Sequence, residues 1–182
     1  MPLGAARFGL SGADLGKLEL IETNNITSSV ANVEFLSIKE SIYNVHFLTV
    51  NNIENVGGND EIYLTFLQSG STANVNQRAN QRMRASGLFD EMKSTSTTFS
   101  IINSNTGNTG GYVYIYNAGD SSKYTFTTSH STGITGVPSG SAFQSLFGSA
   151  VRTTADIIDG FRVYTSSSNL TQGNISLYGI KE

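Results

Sequence analysis

The C-terminal stretch Asn174-Ile175-Ser176-Leu177-Tyr178-Gly179-Ile180-Lys181-Glu182 has the alternating pattern of a β-strand. The shorter stretch Gly160-Phe161-Arg162-Val163-Tyr164 has the pattern of a second strand, and a polar loop of Ser, Asn, Thr and Gln separates the two. A strand that runs to the last residue is expected to be held in a sheet, because a terminus that is not tied down frays. These two segments predict a chain of short strands joined by polar loops.

The same period of two recurs towards the N-terminus, as expected for side chains that point alternately to the two faces of a sheet. The predicted strands cover residues 17–23, 33–38, 43–50, 61–67, 97–103, 111–117, 123–128, 143–154 and 157–164. Turns are predicted at residues 51–52, 57–60, 68–71 and 119–122, where Gly, Asn, Asp and Ser cluster. Residues 74–94 break the pattern and are predicted to form a loop that crosses between strands, with a short helix as the alternative.

About nine or ten short strands with almost no helix predict an all-β fold. Such strands bury their apolar sides in a two-sheet sandwich, often a jelly roll, or in a closed barrel. Low charge and long polar loops favour the sandwich, so we expect a jelly-roll-like antiparallel β-sandwich over residues 17–182. Residues 1–16 are rich in Gly and Ala and fit neither period, which predicts an extended N-terminal arm, with a frayed terminus as the alternative. The candidate anchoring residues of this arm are Arg7, Phe8 and Leu10.

The composition excludes several function classes. Of the 182 residues, 38% are hydrophobic and 14% charged, and the charged share is well below the roughly 25% of an average domain. A net charge of -3 argues against general nucleic-acid binding. The lack of Cys excludes disulfides, zinc–thiolate sites and thiol nucleophiles. No apolar run approaches the about 20 residues of a membrane helix, and the first ten residues lack a continuous apolar segment, so we expect neither membrane insertion nor a secretory signal.

The sequence contains few residues of the types that carry out catalysis. The chain has two histidines, His46 within a predicted strand and His130 in a loop just past a strand end. A Ser-His-Asp hydrolase site is the alternative to a structural role for them. The acidic residues group as Asp60 with Glu61, Asp90 with Glu91, and Asp156 with Asp159. Turn residues are the favoured interpretation of Asp156 and Asp159 and calcium ligands the alternative. We therefore predict no catalytic residue, no cofactor and no metal site.

Two clusters are candidate ligand or subunit contacts. The basic cluster comprises Arg78, Arg82 and Arg84. The other is a ladder of tyrosines that share one face of a strand, namely Tyr112, Tyr114 and Tyr116. The arginines suit an anion such as phosphate or an acidic glycan, with an unliganded basic loop as the alternative. The tyrosines suit stacking on sugar rings or on a partner subunit, or core packing. Because Val113 and Ile115 are also apolar, we expect this strand to be buried on both faces.

Three parts of the chain resemble a family of small virion structural proteins of tailed bacteriophages, a tail-fibre- or decoration-like β-sandwich family. The resembling segments are 4–10 with 18–22, 26–30 with 33–35 and 43–47, and 161–164 with 173–181. The resemblance covers most of the chain, and residues 74–94 depart from it. It implies a virion structural protein without enzymatic activity.

The function expected from the resemblance is a short tail-fibre or baseplate-associated protein at the phage particle surface, made in the host cytoplasm. The arm would anchor it to other virion proteins, and the β-sandwich, as a homotrimer, would serve host attachment, with a host surface glycan as a further partner. A capsid decoration (cement) protein is the alternative within the same class, since coiled-coil heptads are absent. A carbohydrate-binding module is a third candidate function, and a glycan hydrolase is disfavoured.

Overall fold

A computed structural model describes residues 16–56, 60–73, 76–103, 109–135 and 142–181. Within these ranges the chain forms thirteen β-strands. They are β1 (Lys17–Ile26), β2 (Asn32–Phe35), β3 (Val45–Asn55), β4 (Glu61–Gln68), β5 (Ser71–Thr72), β6 (Asn76–Arg84), β7 (Phe89–Ser96), β8 (Phe99–Asn103), β9 (Thr109–Tyr116), β10 (Phe126–Thr135), β11 (Ala142–Arg152), β12 (Gly160–Thr165) and β13 (Leu170–Lys181). Within the same ranges, no helix is long and apolar enough to cross a membrane.

The strands form two antiparallel sheets. The larger has eight strands in the order β1-β13-β3-β9-β10-β11-β6-β7, and the smaller has the order β2-β12-β4, with β5 and β8 both pairing with the far side of β4. The all-β two-sheet fold predicted from the sequence is therefore confirmed. The finer jelly-roll connectivity stays a prediction.

The two segments that decide the fold lie inside different sheets. Strand β13 pairs with β1 on one side and with β3 on the other. Strand β12 pairs with β2 and β4 and forms the middle of the smaller sheet. Each segment therefore has both backbone edges hydrogen-bonded, which confirms that the C-terminal strand is tied into a sheet.

The core lies between the sheets. The larger sheet contributes aliphatic side chains such as Leu48, Val113 and Leu177, and the smaller sheet contributes phenylalanines, all almost completely buried. Three of these phenylalanine rings touch in sequence, with centroids 5.2 Å apart for Phe66 and Phe99 and 6.1 Å for Phe66 and Phe161. Burial of this set is the main stabilising contribution to the fold.

Residues 74–94 differ from the predicted loop or helix. Strands β6 and β7 form a hairpin, and β6 pairs with β11 along nine residues from Asn76 to Arg84. Both sides of β6 carry polar side chains, so hydrophobic periodicity gives no strand signal there. Backbone pairing with β11 decides the conformation.

Some strand limits also differ from the prediction. Residues 51–52 are not a turn, because β3 continues to Asn55 through an irregularity at Asn52, whose φ is 53°. Asn tolerates such a backbone, so the apparent turn signal marks a bulge. His130 lies in the middle of β10 and not in a loop. The turns at residues 68–71 and 119–122 are confirmed, and residues 57–59 lie outside the described part.

Candidate interaction surface

The most unusual surface of the molecule is the side of the eight-stranded sheet that faces away from the smaller sheet. Alternate residues of its strands point to this side, and many of them are aromatic or large aliphatic. We define the aromatic face by these residues: Val45, Phe47, Tyr112, Tyr114, Tyr116, Phe126, Ile134, Phe143, Phe147, Tyr178 and Ile180.

The register of the strands places the rings in contact. Phe47 of β3 lies opposite Tyr114 of β9 and Tyr178 of β13. The centroid of Phe47 is 4.7 Å from that of Tyr114 and 6.2 Å from that of Tyr178. Tyr112 adds a further contact with Phe47 at 5.8 Å. Cross-strand aromatic pairs of this kind stabilise a sheet, so the face is locally ordered before any partner binds.

His130 continues this row of rings onto β11. Its imidazole stacks on Phe147 with the centroids 4.2 Å apart and the planes 9° from parallel, and Tyr112 meets it edge-on at 5.9 Å. The Nε2 atom of His130 lies 3.0 Å from the Ser145 hydroxyl oxygen. The imidazole is thus held in one orientation on the surface by both stacking and a hydrogen bond.

The face remains largely open to solvent in the single chain. Tyr112 is 40% exposed, Phe147 43%, Phe126 46% and Phe143 54%. Apolar patches beyond a few hundred Å² are uncommon on monomeric soluble proteins and mark binding surfaces. The aromatic face therefore has the properties of an interaction surface.

The face is also almost without charge. On the six strands from β13 to β6, the outward-pointing residues of the described ranges include one acid, Glu54 near the end of β3, and no Lys or Arg. Glu91 and Lys93 on the edge strand β7 are outward-pointing charges of opposite sign. A face with so little charge offers apolar contact and shape, and little electrostatic steering.

A pocket of about 340 Å³ opens in the face beside Gly110. Its wall includes the rings of Phe47, Tyr112 and His130 together with the hydroxyls of Thr49 and Thr132. A Cβ built at Gly110 would meet only the Val50 carbonyl oxygen, at 3.5 Å, so the missing side chain leaves the pocket open. Rings beside neutral hydroxyls suit an uncharged polar ligand with an apolar side.

The three predicted tyrosine contacts do lie on one face, as expected from their spacing. The expected burial of β9 on both faces is wrong for the single chain, because only Val113 and Ile115 point into the core. The smaller sheet covers one side of the larger sheet only, and the tyrosines are on the other. Their role as contacts stays a prediction.

The predicted arginine cluster lies on the opposite side of the sheet from the tyrosines. Arg82 and Arg84 both contact the same carboxylate oxygen of Asp90, at 2.7 and 2.8 Å, and Arg78 lies 3.5 Å from a carboxylate oxygen of Glu61. The hydrogen bond from Arg82 lowers the pKa of Asp90, so this carboxylate stays ionised. All three guanidinium groups thus have carboxylate partners within the chain, and their role as ligand or subunit contacts stays a prediction.

The remaining candidates have structural partners. Asp156 accepts hydrogen bonds from Arg152, and Asp159 accepts one from the backbone N–H of Ser69 at 2.9 Å. Asp60 accepts hydrogen bonds from the hydroxyls of Ser166 and Ser167. Among the described residues, no group of three or more His, Asp or Glu side chains is arranged to hold a metal ion.

The two histidines do not belong to one site. His46 is completely buried on the inner side of the larger sheet, and its Nε2 donates to the Ile38 carbonyl oxygen at 2.8 Å. His130 is on the outer side, so the sheet separates the two imidazoles. Burial lowers the pKa of His46, and it outweighs the opposing hydrogen bond to Ile38 and the charge of Glu40. His46 is thus a neutral core residue.

Sequence reasoning missed most of the aromatic face. It identified the tyrosines but not Phe47, His130 and Phe147, which complete the row. A signal was present, because several strands carry aromatic residues at alternate positions while the positions between them also suit a core. The anchoring residues Arg7, Phe8 and Leu10 lie outside the described residues.

Comparisons with protein-family models, with curated proteins and with solved structures found no match to this chain.

Proposed function

We propose that this chain is a non-enzymatic structural protein of a tailed-phage virion, exposed at the particle surface as a short tail-fibre or baseplate-associated protein. The N-terminal arm anchors it to other virion proteins, and the β-sandwich serves host attachment. The observation that carries the proposal is the uncharged aromatic face, which suits protein assembly. The resemblance of segments 4–10, 18–22, 26–30, 33–35, 43–47, 161–164 and 173–181 to small phage virion proteins supplies the setting.

The placement of the acidic groups supports a non-enzymatic role. Glycoside hydrolysis needs two carboxyl groups that face each other across a groove. In this chain Asp90 is held by two arginines, Asp156 by Arg152, and Asp159 by the backbone of Ser69. These groups stabilise the fold, and the aromatic face presents apolar rings where a hydrolase would present acids.

Immunogold electron microscopy of intact phage particles, with antibody to this chain, tests the proposal. We expect label at the tail or baseplate. Label spread over the head would replace this proposal with the alternative of a capsid decoration protein. Particles without label would refute both forms of the virion proposal.

A second candidate, a carbohydrate-binding module, is favoured by the pocket beside Gly110. Its rings and hydroxyls match the apolar and polar sides of a neutral sugar, and one aromatic side chain stacked on a sugar contributes on the order of 1 kcal/mol. A glycan array tests it, with Tyr112→Ala as the pocket variant and Tyr124→Ala, at an exposed tyrosine outside that pocket, as the matched control. Binding that Tyr112→Ala abolishes and Tyr124→Ala preserves would favour the module.

A further inference from the structure

We infer that the aromatic face is the surface through which copies of this chain bind one another. This inference rests on the proposed function, since it names the partner of the same face. It replaces a general expectation of a homotrimer with a specific surface: the outer side of β3, β9, β10, β11 and β13, centred on Tyr114 and Thr128.

The size of the face fits an interface between subunits. The outer side of the whole eight-stranded sheet, with strands about 4.8 Å apart and about eight residues each rising about 3.3 Å, measures about 34 by 26 Å, or about 900 Å², and the five central strands make up about 500 Å² of it. A standard specific interface buries about 800 Å² on each partner. A single sugar covers only a small part of such a face, whereas a second sheet covers it fully.

The charge pattern favours a second copy over an unrelated protein. The chain carries a net charge of -3, yet the described outward positions from β13 to β6 carry a single acid, Glu54 near the end of β3, and no base. A face with a net charge would repel its own copy, and an uncharged face does not. Other acidic groups, such as Asp90 and Asp156, lie on the other side of the sheet or in loops, where they pair with arginines.

The shape of the face is suited to packing against protein. Its rings are already fixed by mutual contacts, as with the 4.7 Å pair of Phe47 and Tyr114 and the 4.2 Å pair of His130 and Phe147. Pre-ordered aromatic side chains lose little conformational entropy on binding. Aromatic residues are also enriched at the centres of protein interfaces, where charged residues are depleted.

Sedimentation equilibrium of the purified full-length chain tests the inference, from about 1 to 100 μM. Two variants place a charge in the face: Thr128→Lys, at an exposed small residue of β10, and Phe147→Lys on β11. Ile42→Lys is the matched control, because Ile42 is 63% exposed and lies between β2 and β3, off the face. Far-UV circular dichroism checks that each variant folds.

We expect the wild type to be oligomeric and the control variant to have the same dissociation constant. In both face variants the dissociation constant should rise by at least about 100-fold, because assembly would bury an unpaired charge. A monomeric wild type over this range would overturn the inference. An oligomer that both face variants leave intact would also overturn the inference. A monomeric chain that binds glycans through this face would overturn it as well. An oligomer that is absent from particles would refute only the proposed function, and a particle-bound monomer only this inference.

Discussion

Phe47 and Leu48 are neighbours in one strand, and they face opposite sides of the eight-stranded sheet. Leu48 is completely buried against the smaller sheet. Phe47 lies on the outer side, where it touches the rings of Tyr114 and Tyr178. Both residues are strongly apolar, so hydrophobicity alone does not distinguish their positions. The second sheet decides which side becomes core, and the other side becomes a surface that remains open for a partner.

The two sides also differ in the type of apolar side chain. The inner side of β3, β9 and β13 carries mainly Leu, Ile and Val, which pack in one core cluster with the phenylalanines of the smaller sheet, whereas the inner side of β10, β11 and β6 carries mainly buried polar residues. The outer side carries mainly Tyr and Phe, and the tyrosine hydroxyls remain able to meet water or a polar partner. Aromatic side chains with a polar tip suit a surface that is sometimes wet and sometimes covered. The inner side is thus part of the core, and the outer side is the surface that we propose to bind a partner.

The largest expected effect separates these two neighbours. Leu48→Ala is expected to lower the free energy of unfolding by about 2–5 kcal/mol, because it removes buried methyl groups and leaves a cavity. Phe47→Ala is expected to cost about 1 kcal/mol, mainly from lost ring contacts. Urea denaturation measures both, in a Thr128→Lys background at one protein concentration so that assembly does not contribute. Equal losses for the two variants would show that the outer rings are part of the core.

Two glycines provide the next comparison. A Cβ at Gly179 of β13 would lie 2.3 Å from ring atoms of the buried Tyr43, whereas one at Gly110 would have free space on the outer side. Gly179→Ala is therefore expected to cost about 1–3 kcal/mol of unfolding free energy through overpacking. Gly110→Ala is the matched control and is expected to change stability by about 0.5 kcal/mol or less. A stable Gly179→Ala variant would mean that the Tyr43 ring is easily displaced.

A third effect concerns the buried His46. Burial lowers its pKa in the folded state, so as the pH falls the unfolded chain takes up the proton first. This contribution therefore destabilises the fold as the pH drops below about 6.5, by at most about 1.4 kcal/mol per pH unit. Urea denaturation between about pH 7 and pH 5 measures it, above the range where carboxylates titrate. The variant His46→Gln, whose amide also donates a hydrogen bond, should reduce the fall of the unfolding free energy with pH. If the pH dependence does not change, the lowered pKa of His46 is contradicted.

The smallest effect tests the β6–β7 hairpin, where polar pairs replace apolar contacts. Asp90→Asn removes the carboxylate that Arg82 and Arg84 share. We expect a lower melting temperature than that of the wild type, with a smaller shift than for Gly179→Ala, because partly exposed ion pairs are screened by solvent. The difference should shrink in about 1 M salt, where the Debye length is about 3 Å. A difference that salt does not change would indicate a packing effect.

The sequence predicted the fold class well because most strands obey a period of two. The segments at 43–50, 61–67 and 111–117 all lie within or overlap strands of the structure. The strand prediction failed where apolar and polar residues do not alternate. Strands β6 and β7 carry polar residues on both sides, and the pairing of β6 with β11 depends on backbone hydrogen bonds between segments distant in the chain.

The candidate surface was predicted only in part, for a related reason. The spacing of Tyr112, Tyr114 and Tyr116 places them on one side of a strand, but it does not say which side the other sheet covers. Their contacts with Phe47, and the stacking of His130 on Phe147, require the register of β3, β10 and β11. The arginines share one side of β6, where the register brings carboxylates to them.

The sequence by itself determined the all-β class, the low surface charge and the strand nature of the C-terminal segment, because these follow from composition and local periodicity. The tertiary structure alone decided that β13 and β12 enter different sheets, that Leu48 is core while Phe47 is surface, and that Arg82 and Arg84 share one carboxylate. The physical reason is that strand order, register and sheet packing join residues far apart in the chain, and local pattern carries no information on those contacts.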